Sequence, residues 1–385
     1  MAQIRQCYAV LFRNEWAVWV GGALFGILNV ALFFYDQPWT TLDGALNWGD
    51  SILGALGVVR ARADPPLIRT GSVINLGLLA GAFAAALLAR QFSINIGPKR
   101  ELLKGAVGGL LLGTGAAIAR GCNIGGFFSA TSAFGANGLA MALGLTLGAF
   151  AGVRFLLWEV EHSASSGAVP SPAPVATSRR RIQPYLGALV LLGLIVGAAL
   201  YEGLGIEKRA LILLFGAALG IISQRSRVCF VQGFREPFLT GDTRHTRAML
   251  LGLLISMVGF AAIEITFLEK EGAFIRETFW MGSLIGGVIF GFGMVLAGGC
   301  GAGSIWRAGE GNVKLMVAVA GYALSASFVR DVLVRTGLQQ QLGVKVFLPE
   351  VFGGWTGAIA VLAMIIAVWY AITRWNQASR KLAAV

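Results

Sequence analysis

Two cysteines stand in glycine-rich frames that occur twice along the chain. Cys122 lies in GTGAAIARGCNIGG, and Cys300 lies in GFGMVLAGGCGAGSIWRAGEG. When Cys122 is aligned with Cys300, 108–125 matches 286–303 with eight identities in eighteen positions and no gap. This repeat alignment indicates an internal duplication, and it predicts that the two thiols are equivalent halves of one site.

Duplicated membrane halves often insert in opposite orientations, so that broken helices from each half meet at mid-depth. We therefore expect Cys122 and Cys300 to face one another near the protein centre, with Gly121 and Gly299 opening the backbone beside them. The helix ends would supply partial positive charge for an anion. The alternative is that both cysteines are packed as small hydrophobes with no further role.

A thiol buried in a low-dielectric site stays protonated, because desolvation disfavours the thiolate. A neutral S–H group does not repel an anion, and it suits a soft sulfur or selenium atom better than a hard oxygen. Conduction needs contacts that are strong enough for the ion to enter and weak enough for it to leave. These residues therefore predict the passage of a small anion that carries sulfur or selenium.

A third cysteine, Cys229, lies in RSRVCFVQGFRE, where Arg225, Arg227 and Arg235 surround it. The arginines could gather an anion and pass it to the thiol, or they could only fix the topology of a cytoplasmic loop. Extended at the same offset, the repeat alignment places Ser51 opposite Cys229, so the first half has no matching thiol. The fourth cysteine, Cys7, precedes the first apolar run and is interpreted as incidental.

Two ionisable residues follow Cys300 closely, Arg307 and Glu310. Ionisable residues within a membrane are functional candidates by default. Here we expect them to brace a re-entrant segment, and Arg307 remains a secondary candidate for contact with the anion.

The composition places the whole chain in a membrane. Of its 385 residues, 56% are hydrophobic and 13% are charged, and the mean hydropathy is +0.72. The net charge of +12 fits basic cytoplasmic loops and is poor support for a nucleic-acid partner. With two histidines and no paired-cysteine motif, a metal site or other cofactor is not predicted.

The apolar runs predict an all-α polytopic membrane protein with nine or ten full spans. The runs are 16–35, 71–89, 102–119, 137–158, 184–201, 210–223, 247–268, 280–297, 312–329 and 351–373. The stretch 41–62 is too polar for a span and is expected to be interfacial or partly inserted, and 122–134 is expected to be re-entrant. A Ser-, Pro- and Arg-rich cytoplasmic linker, 163–183, is predicted to separate two pseudo-symmetric and inverted repeats, 1–162 and 184–385.

Three stretches resemble the signatures of the YeeE/YedE membrane family. They are GCNIGGFF at 121–128, which includes Asn123, RSRVCFVQGFRE at 225–236, and GGCGAGSIWRAGEG at 298–311. The resemblance covers nearly the whole chain and is closest to the YedE-type members. It implies an hourglass-shaped protein of the bacterial inner membrane that takes up thiosulfate, and carried over by motif it nominates Cys122, Cys229 and Cys300 as a relay of S–H contacts.

The same resemblance implies a small TusA-like sulfur carrier as the cytoplasmic partner. One departure bears on the substrate, because thiosulfate members of the family carry a cysteine in the first half where this chain has none. A related sulfur or selenium species therefore stays open.

Two other functions are compatible with the residues. A membrane enzyme could use the cysteines as nucleophiles for thiol or sulfur transfer, although the sequence places no histidine base near any of them. A channel for an unrelated small solute could use the glycine-lined broken helices alone, and it would tolerate loss of the cysteines.

Overall fold

The computed structural model describes residues 8–162, 177–267, 272 and 274–383. These residues are helical apart from turns and loops, and extended backbone pairs only in isolated bridges. The first-half helices are α1 Val18–Tyr35, α2 Leu42–Ala55, α3 Thr70–Leu88, α4 Lys99–Ala119, α5 (a π-helical turn Asn123–Phe128 continued by Ser129–Ser132) and α6 Ala136–His162. The later helices are α7 Thr177–Gly203, α8 Glu207–Ser226, α9 Phe230–Leu239, α10 Arg244–Phe267, α11 Met281–Ala297, α12 Gly301–Gly309, α13 Val313–Arg335 and α14 Trp355–Ser379.

Within the described residues, ten helical segments are long and apolar enough to cross a membrane. Each of the ten apolar runs found in the sequence overlaps one of them. The predicted class, an all-α polytopic membrane protein, is confirmed.

Some boundaries differ from those expected. Residues 177–183, which the sequence assigned to the linker, form the first turns of α7, because the backbone helix begins at Thr177. Residues 163–176 and Cys7 lie outside the described part of the chain. The polar stretch 41–62 contains α2, whose buried residues pack on α3 and α13.

The contacts between helices are the same when the two halves of the chain are interchanged. Helix α4 packs on α13 as α11 packs on α6, and α3 packs on α8 as α10 packs on α1. The same exchange relates α2 on α13 to α9 on α6. The halves therefore interlock across a pseudo-two-fold axis, with α1–α6 corresponding to α8–α13.

The crossing of α4 and α11 indicates the direction of that axis. A Cβ on Gly115 would lie 2.5 Å from the carbonyl oxygen of Gly286, and one on Gly293 would lie 3.0 Å from that of Gly108. The repeat alignment pairs Gly115 with Gly293 and Gly108 with Gly286, so it converts one contact into the other. The two contacts also show that α4 and α11 run in opposite directions, because the later residue of α4 lies beside the earlier residue of α11. Because the axis relates two antiparallel membrane-length helices, it runs across them, as inverted repeats require.

One polar anchor joins α2 to α13. The carboxylate of Asp50, 7% exposed, accepts hydrogen bonds from Arg330 at 2.8 and 3.0 Å and from Ser327 at 2.6 Å. Replacing Asp50 by alanine would leave the Arg330 guanidinium unpaired, and we expect the free energy of unfolding to fall by about 3 kcal/mol.

Thermal unfolding of the purified protein in detergent measures this loss. The control is Asp64→Ala, which removes a pair with Arg69 whose side chains are 61% and 53% exposed and which is worth less than about 1 kcal/mol. Equal shifts for the two variants would contradict a structural role for the Asp50 pair.

Candidate functional site

The three described cysteines follow the same local turn. Helices α4, α8 and α11 each end in a residue with left-handed backbone, namely Arg120 (φ 54°), Arg227 (φ 56°) and Gly298 (φ 79°). Two residues later a new helix begins, with Cys122, Cys229 and Cys300 as the N-caps of α5, α9 and α12. A left-handed residue ends a helix and redirects the chain, so each thiol lies at the start of a short helix.

Cys122 and Cys300 have matching geometry in the two repeats. Both have extended backbone, and the Sγ of Cys122 accepts from the Gly125 amide at 3.5 Å as that of Cys300 accepts from Gly303 at 3.2 Å. The thiols therefore lie at the positively polarised ends of their helices.

The thiols of Cys229 and Cys300 form a pair. They are 3% and 1% exposed, and each thiol lies within hydrogen-bonding range of the other. A Cβ atom on Gly303 would lie 3.1 Å from the Sγ of Cys300 and 3.6 Å from the Sγ of Cys229. One small space on α12 therefore touches both sulfurs.

Cys122 reaches this pair through Gly301, the residue after Cys300. A Cβ on Gly301 would lie 3.6 Å from the Cβ of Cys122, 3.6 Å from a ring carbon of Tyr322 and 2.6 Å from the Oγ1 of Thr41. The Thr41 hydroxyl donates to the Sγ of Cys122 at 3.3 Å. The structure thus brings Cys122, Cys229 and Cys300 into one buried cluster.

The cluster lies near the middle of the helices around it. Tyr322 stands near the midpoint of α13, and its carbonyl oxygen faces Gly113 in the second half of α4. Helices α4 and α11 end just before the turns that carry Cys122 and Cys300. The re-entrant character of these segments stays a prediction.

Gly121 and Gly299 make those turns possible. A Cβ on Gly121 would lie 2.5 Å from the Cα of Gly126, and one on Gly299 would lie 2.6 Å from the Oγ of Ser304. Each glycine lets the turn fold tightly against the short helix that follows, so a larger residue would displace the thiol.

Several buried polar atoms near the cysteines have no hydrogen-bond partner among the described residues. They are both amide atoms of Asn123, the Oγ of Ser304, the hydroxyl of Tyr322 and the Nδ1 of His245. Buried polar groups are nearly always paired in native proteins, so such a group is open to a ligand. Asn123 follows Cys122 directly and is fully buried.

A polar mouth opens beside Cys122. A cavity of about 40 Å³ is lined by residues that include Thr40, Asp43, Arg120, Gly125 and Arg276. The Oγ1 of Thr40 lies 3.6 Å from the Sγ of Cys122, and Arg120 forms an ion pair with Glu277 at 2.9 Å. The mouth therefore carries charges of both signs, and Arg276 is its arginine for which no ion pair is found among the described residues.

His245 lies on the other side of Cys229. A cavity of about 10 Å³ is lined by both residues, and His245 is 9% exposed. The sequence placed no histidine near any cysteine, and this was wrong, because the turn between α9 and α10 folds the first residues of α10 back against Gly233 of α9.

The predicted arginines are engaged in protein contacts. Arg235 pairs with Glu236, Arg227 pairs with Glu310, and Arg307 donates to the carbonyl oxygen of Gly298 at 3.2 Å while it lies over the Trp306 ring. The fully buried Arg225 donates to the carbonyl oxygen of Asn14 at 3.0 Å. Arg307 thus braces the turn before Cys300, but its partner is the backbone and not Glu310.

Sequence reasoning missed five residues of the site, namely Thr41, Arg120, His245, Arg276 and Tyr322. The repeat alignment pointed to Ser51 as the counterpart of Cys229, but Ser51 lies inside α2 and donates to the carbonyl oxygen of Asn47 at 2.7 Å. Cys229 corresponds to the start of α2 at Thr40 and Thr41, since Thr41 stands before α2 as Cys229 stands before α9, and Gly125 faces Thr40 as Gly303 faces Cys229.

Comparison with known proteins gives this arrangement a context. A family model described as sulphur transport matches residues 2–151 and 225–384. The probable transporter YedE of Escherichia coli is 29% identical over 375 residues, which are 91% of this chain and 90% of that protein. YedE of Salmonella typhimurium is 32% identical over 75% of this chain and 74% of its own length, and the thiosulfate transporter TsuA of E. coli is 33% identical over 45% of this chain and 49% of its own.

Proposed function

This chain belongs to the sulphur transport family and is a multi-pass membrane transporter, and we propose that its cargo is thiosulfate or a related small sulfur or selenium anion. The observation that carries the proposal is the convergence of Cys122, Cys229 and Cys300, from both repeats, on one buried cluster. A relative named as a thiosulfate transporter supports this choice of anion.

The proposed path runs from the mouth at Arg120 and Arg276 to Cys122, past Gly301, and on to the Cys229–Cys300 pair. The N-termini of three short helices meet along it, so partial positive charge attracts the anion without a full countercharge that would hold it. Neutral thiols offer weak contacts in series, as conduction requires. The proposed narrow waist of the hourglass lies at this cluster.

The broken helices explain why the path needs two repeats. One re-entrant turn exposes one helix end, whereas two inverted turns bring ends from opposite directions to the same level. Gly301 keeps the space between the two halves small but open. The unpaired amide of Asn123 adds a polar contact beside Cys122.

Uptake into proteoliposomes tests the function. We expect labelled thiosulfate to accumulate with protein and not in protein-free vesicles, and we expect unlabelled thiosulfate to compete better than sulfate, sulfite or selenite. Uptake that no sulfur or selenium anion inhibits would contradict the proposal.

Mass spectrometry of the protein after turnover separates transport from sulfur transfer. Non-covalent passage leaves all thiols unmodified, whereas attack of the Cys300 thiolate on the terminal sulfur of thiosulfate breaks the S–S bond of the ion, releases sulfite and leaves a persulfide on Cys300. This measurement is needed because Cys229 and His245, a potential base, line the same cavity. A persulfide that forms and decays at the rate of uptake would show that passage is covalent, and it would contradict the non-covalent mechanism.

The proposed location is the bacterial inner membrane, and the proposed partner is a TusA-like sulfur carrier on the cytoplasmic side. The resemblance of the three signature stretches supports both. Co-purification of a purified TusA-like protein with the transporter in detergent, in the presence of thiosulfate, tests the partner. Failure to bind at micromolar concentrations would contradict it.

A further inference from the structure

We infer that Thr41 and Tyr322 form a hydroxyl pole opposite the Cys229–Cys300 thiol pair, and that the site holds its anion in one orientation between them. The oxyanion end faces the hydroxyls, and the terminal sulfur faces the thiols. This inference rests on the proposed function and adds the chemical class of the preferred cargo, an anion with one oxygen-bearing end and one soft end.

The first observation is the position of Thr41 in the repeat. Thr41 begins α2 as Cys229 begins α9, and its hydroxyl contacts Cys122 at 3.3 Å as Cys229 contacts Cys300. The same place in the two repeats therefore holds an oxygen donor in one and a sulfur donor in the other. Thr41 is fully buried, so its hydroxyl cannot reach bulk water.

The second observation is the hydroxyl of Tyr322. The residue is fully buried and lies near the thiols of Cys122 and Cys300. Its hydroxyl interacts with that of Thr41 but makes no hydrogen bond of standard geometry among the described residues. A buried hydroxyl without a good partner is costly in a folded protein, and an anion at Gly301 would supply one.

The repeats differ again at this position. Leu145 of α6 is the counterpart of Tyr322, because Gly291 faces the carbonyl oxygen of Leu145 as Gly113 faces that of Tyr322. Leu145 is fully buried. The tyrosine therefore adds a donor to the Cys122 half, and the equivalent residue in the other repeat is an apolar leucine.

The hydroxyl pole and the thiol pole prefer different atoms of an anion. Hydroxyl groups donate strong hydrogen bonds to charged oxygens, whereas thiols donate weakly and are polarisable. An ion with a sulfonate-like end and a terminal sulfur can satisfy both poles at once. Sulfate can satisfy only the hydroxyl pole, and hydrosulfide can satisfy only the thiol pole.

Competition against thiosulfate uptake tests the orientation with these two probes. We expect Tyr322→Phe and Thr41→Val to weaken inhibition by sulfate about tenfold, the effect of losing one hydrogen bond to a charged group, and to leave inhibition by hydrosulfide unchanged. Cys229→Ser should do the reverse. Thr41→Ser keeps a hydroxyl and should restore the wild-type values.

Tyr370→Phe, at an exposed tyrosine of α14, is the matched control and should change neither inhibition constant. Elution as a single species in size-exclusion chromatography establishes that each variant is folded. If the hydroxyl variants and the thiol variant change both inhibition constants alike, the orientation is wrong while the transport function stands. If the wild-type protein takes up no thiosulfate, the proposed function itself has failed.

Discussion

Replacing Cys300 by alanine is expected to reduce thiosulfate uptake by about 10- to 100-fold, because a hydrogen bond to a charged group is worth about 1.5–3 kcal/mol. Cys300 pairs with Cys229 and adjoins Gly301, so its loss breaks the path at the point where the halves meet. Cys122→Ala is expected to act similarly from the other repeat. Initial rates in proteoliposomes with matched protein content measure both effects.

The matched control for this truncation is Ser132→Ala. Ser132 is fully buried in α5, and its hydroxyl donates only to the carbonyl oxygen of Phe128, at 2.8 Å. The variant loses one small buried group, as Cys300→Ala does, and should retain wild-type uptake. If both cysteine variants fold and take up thiosulfate at the normal rate, the thiol mechanism is wrong. That result would favour a channel that uses glycine-lined helices alone.

The fold was largely predictable because the membrane imposes simple rules on the sequence. A helix that crosses lipid must be apolar over about 20 residues, and helices that pack closely need small residues at their crossing. The repeated glycines of α4 and α11 satisfied the second rule in both halves. Their aligned frames therefore revealed the duplication without any knowledge of the contacts.

The composition of the site was harder to predict because it depends on the loops. The loop between α2 and α3, residues 56–69, is longer than the equivalent loop between α9 and α10, residues 240–243. An alignment at the offset of Cys122 and Cys300 therefore fails on the N-terminal side of α3, and it pointed to Ser51. His245 and Tyr322 come from helices that carry no signature of their own, and only the packing of α10 and α13 brings them to the thiols.

The arginines near Cys229 also show that sequence proximity does not predict which side chains reach the site. Proximity in sequence to Cys229 suggested that they gather the anion, but a side chain as long as arginine can turn away from its neighbours. Arg227 and Arg235 turn towards Glu310 and Glu236. The arginines at the open mouth are Arg120 and Arg276, from the other side of the cluster.

Replacing Gly303 by alanine is expected to abolish uptake although every thiol remains present. The added methyl group would occupy the space between the sulfurs of Cys300 and Cys229, at 3.1 and 3.6 Å, and would exclude an anion from contact with both. Alanine is favoured over glycine in a helix by about 1 kcal/mol, and a small shift of the Cys300 sulfur relieves the tighter contact. We therefore expect an unfolding temperature close to that of the wild type.

The control is Gly193→Ala in α7, where a Cβ would meet nothing within 4 Å. Both variants make the same chemical change within a helix, so any difference in uptake reports the place of the methyl group. If Gly303→Ala transports at the wild-type rate, the anion does not pass between Cys229 and Cys300. The path would then have to leave Cys122 by another route, and the thiol pair would be part of the packing.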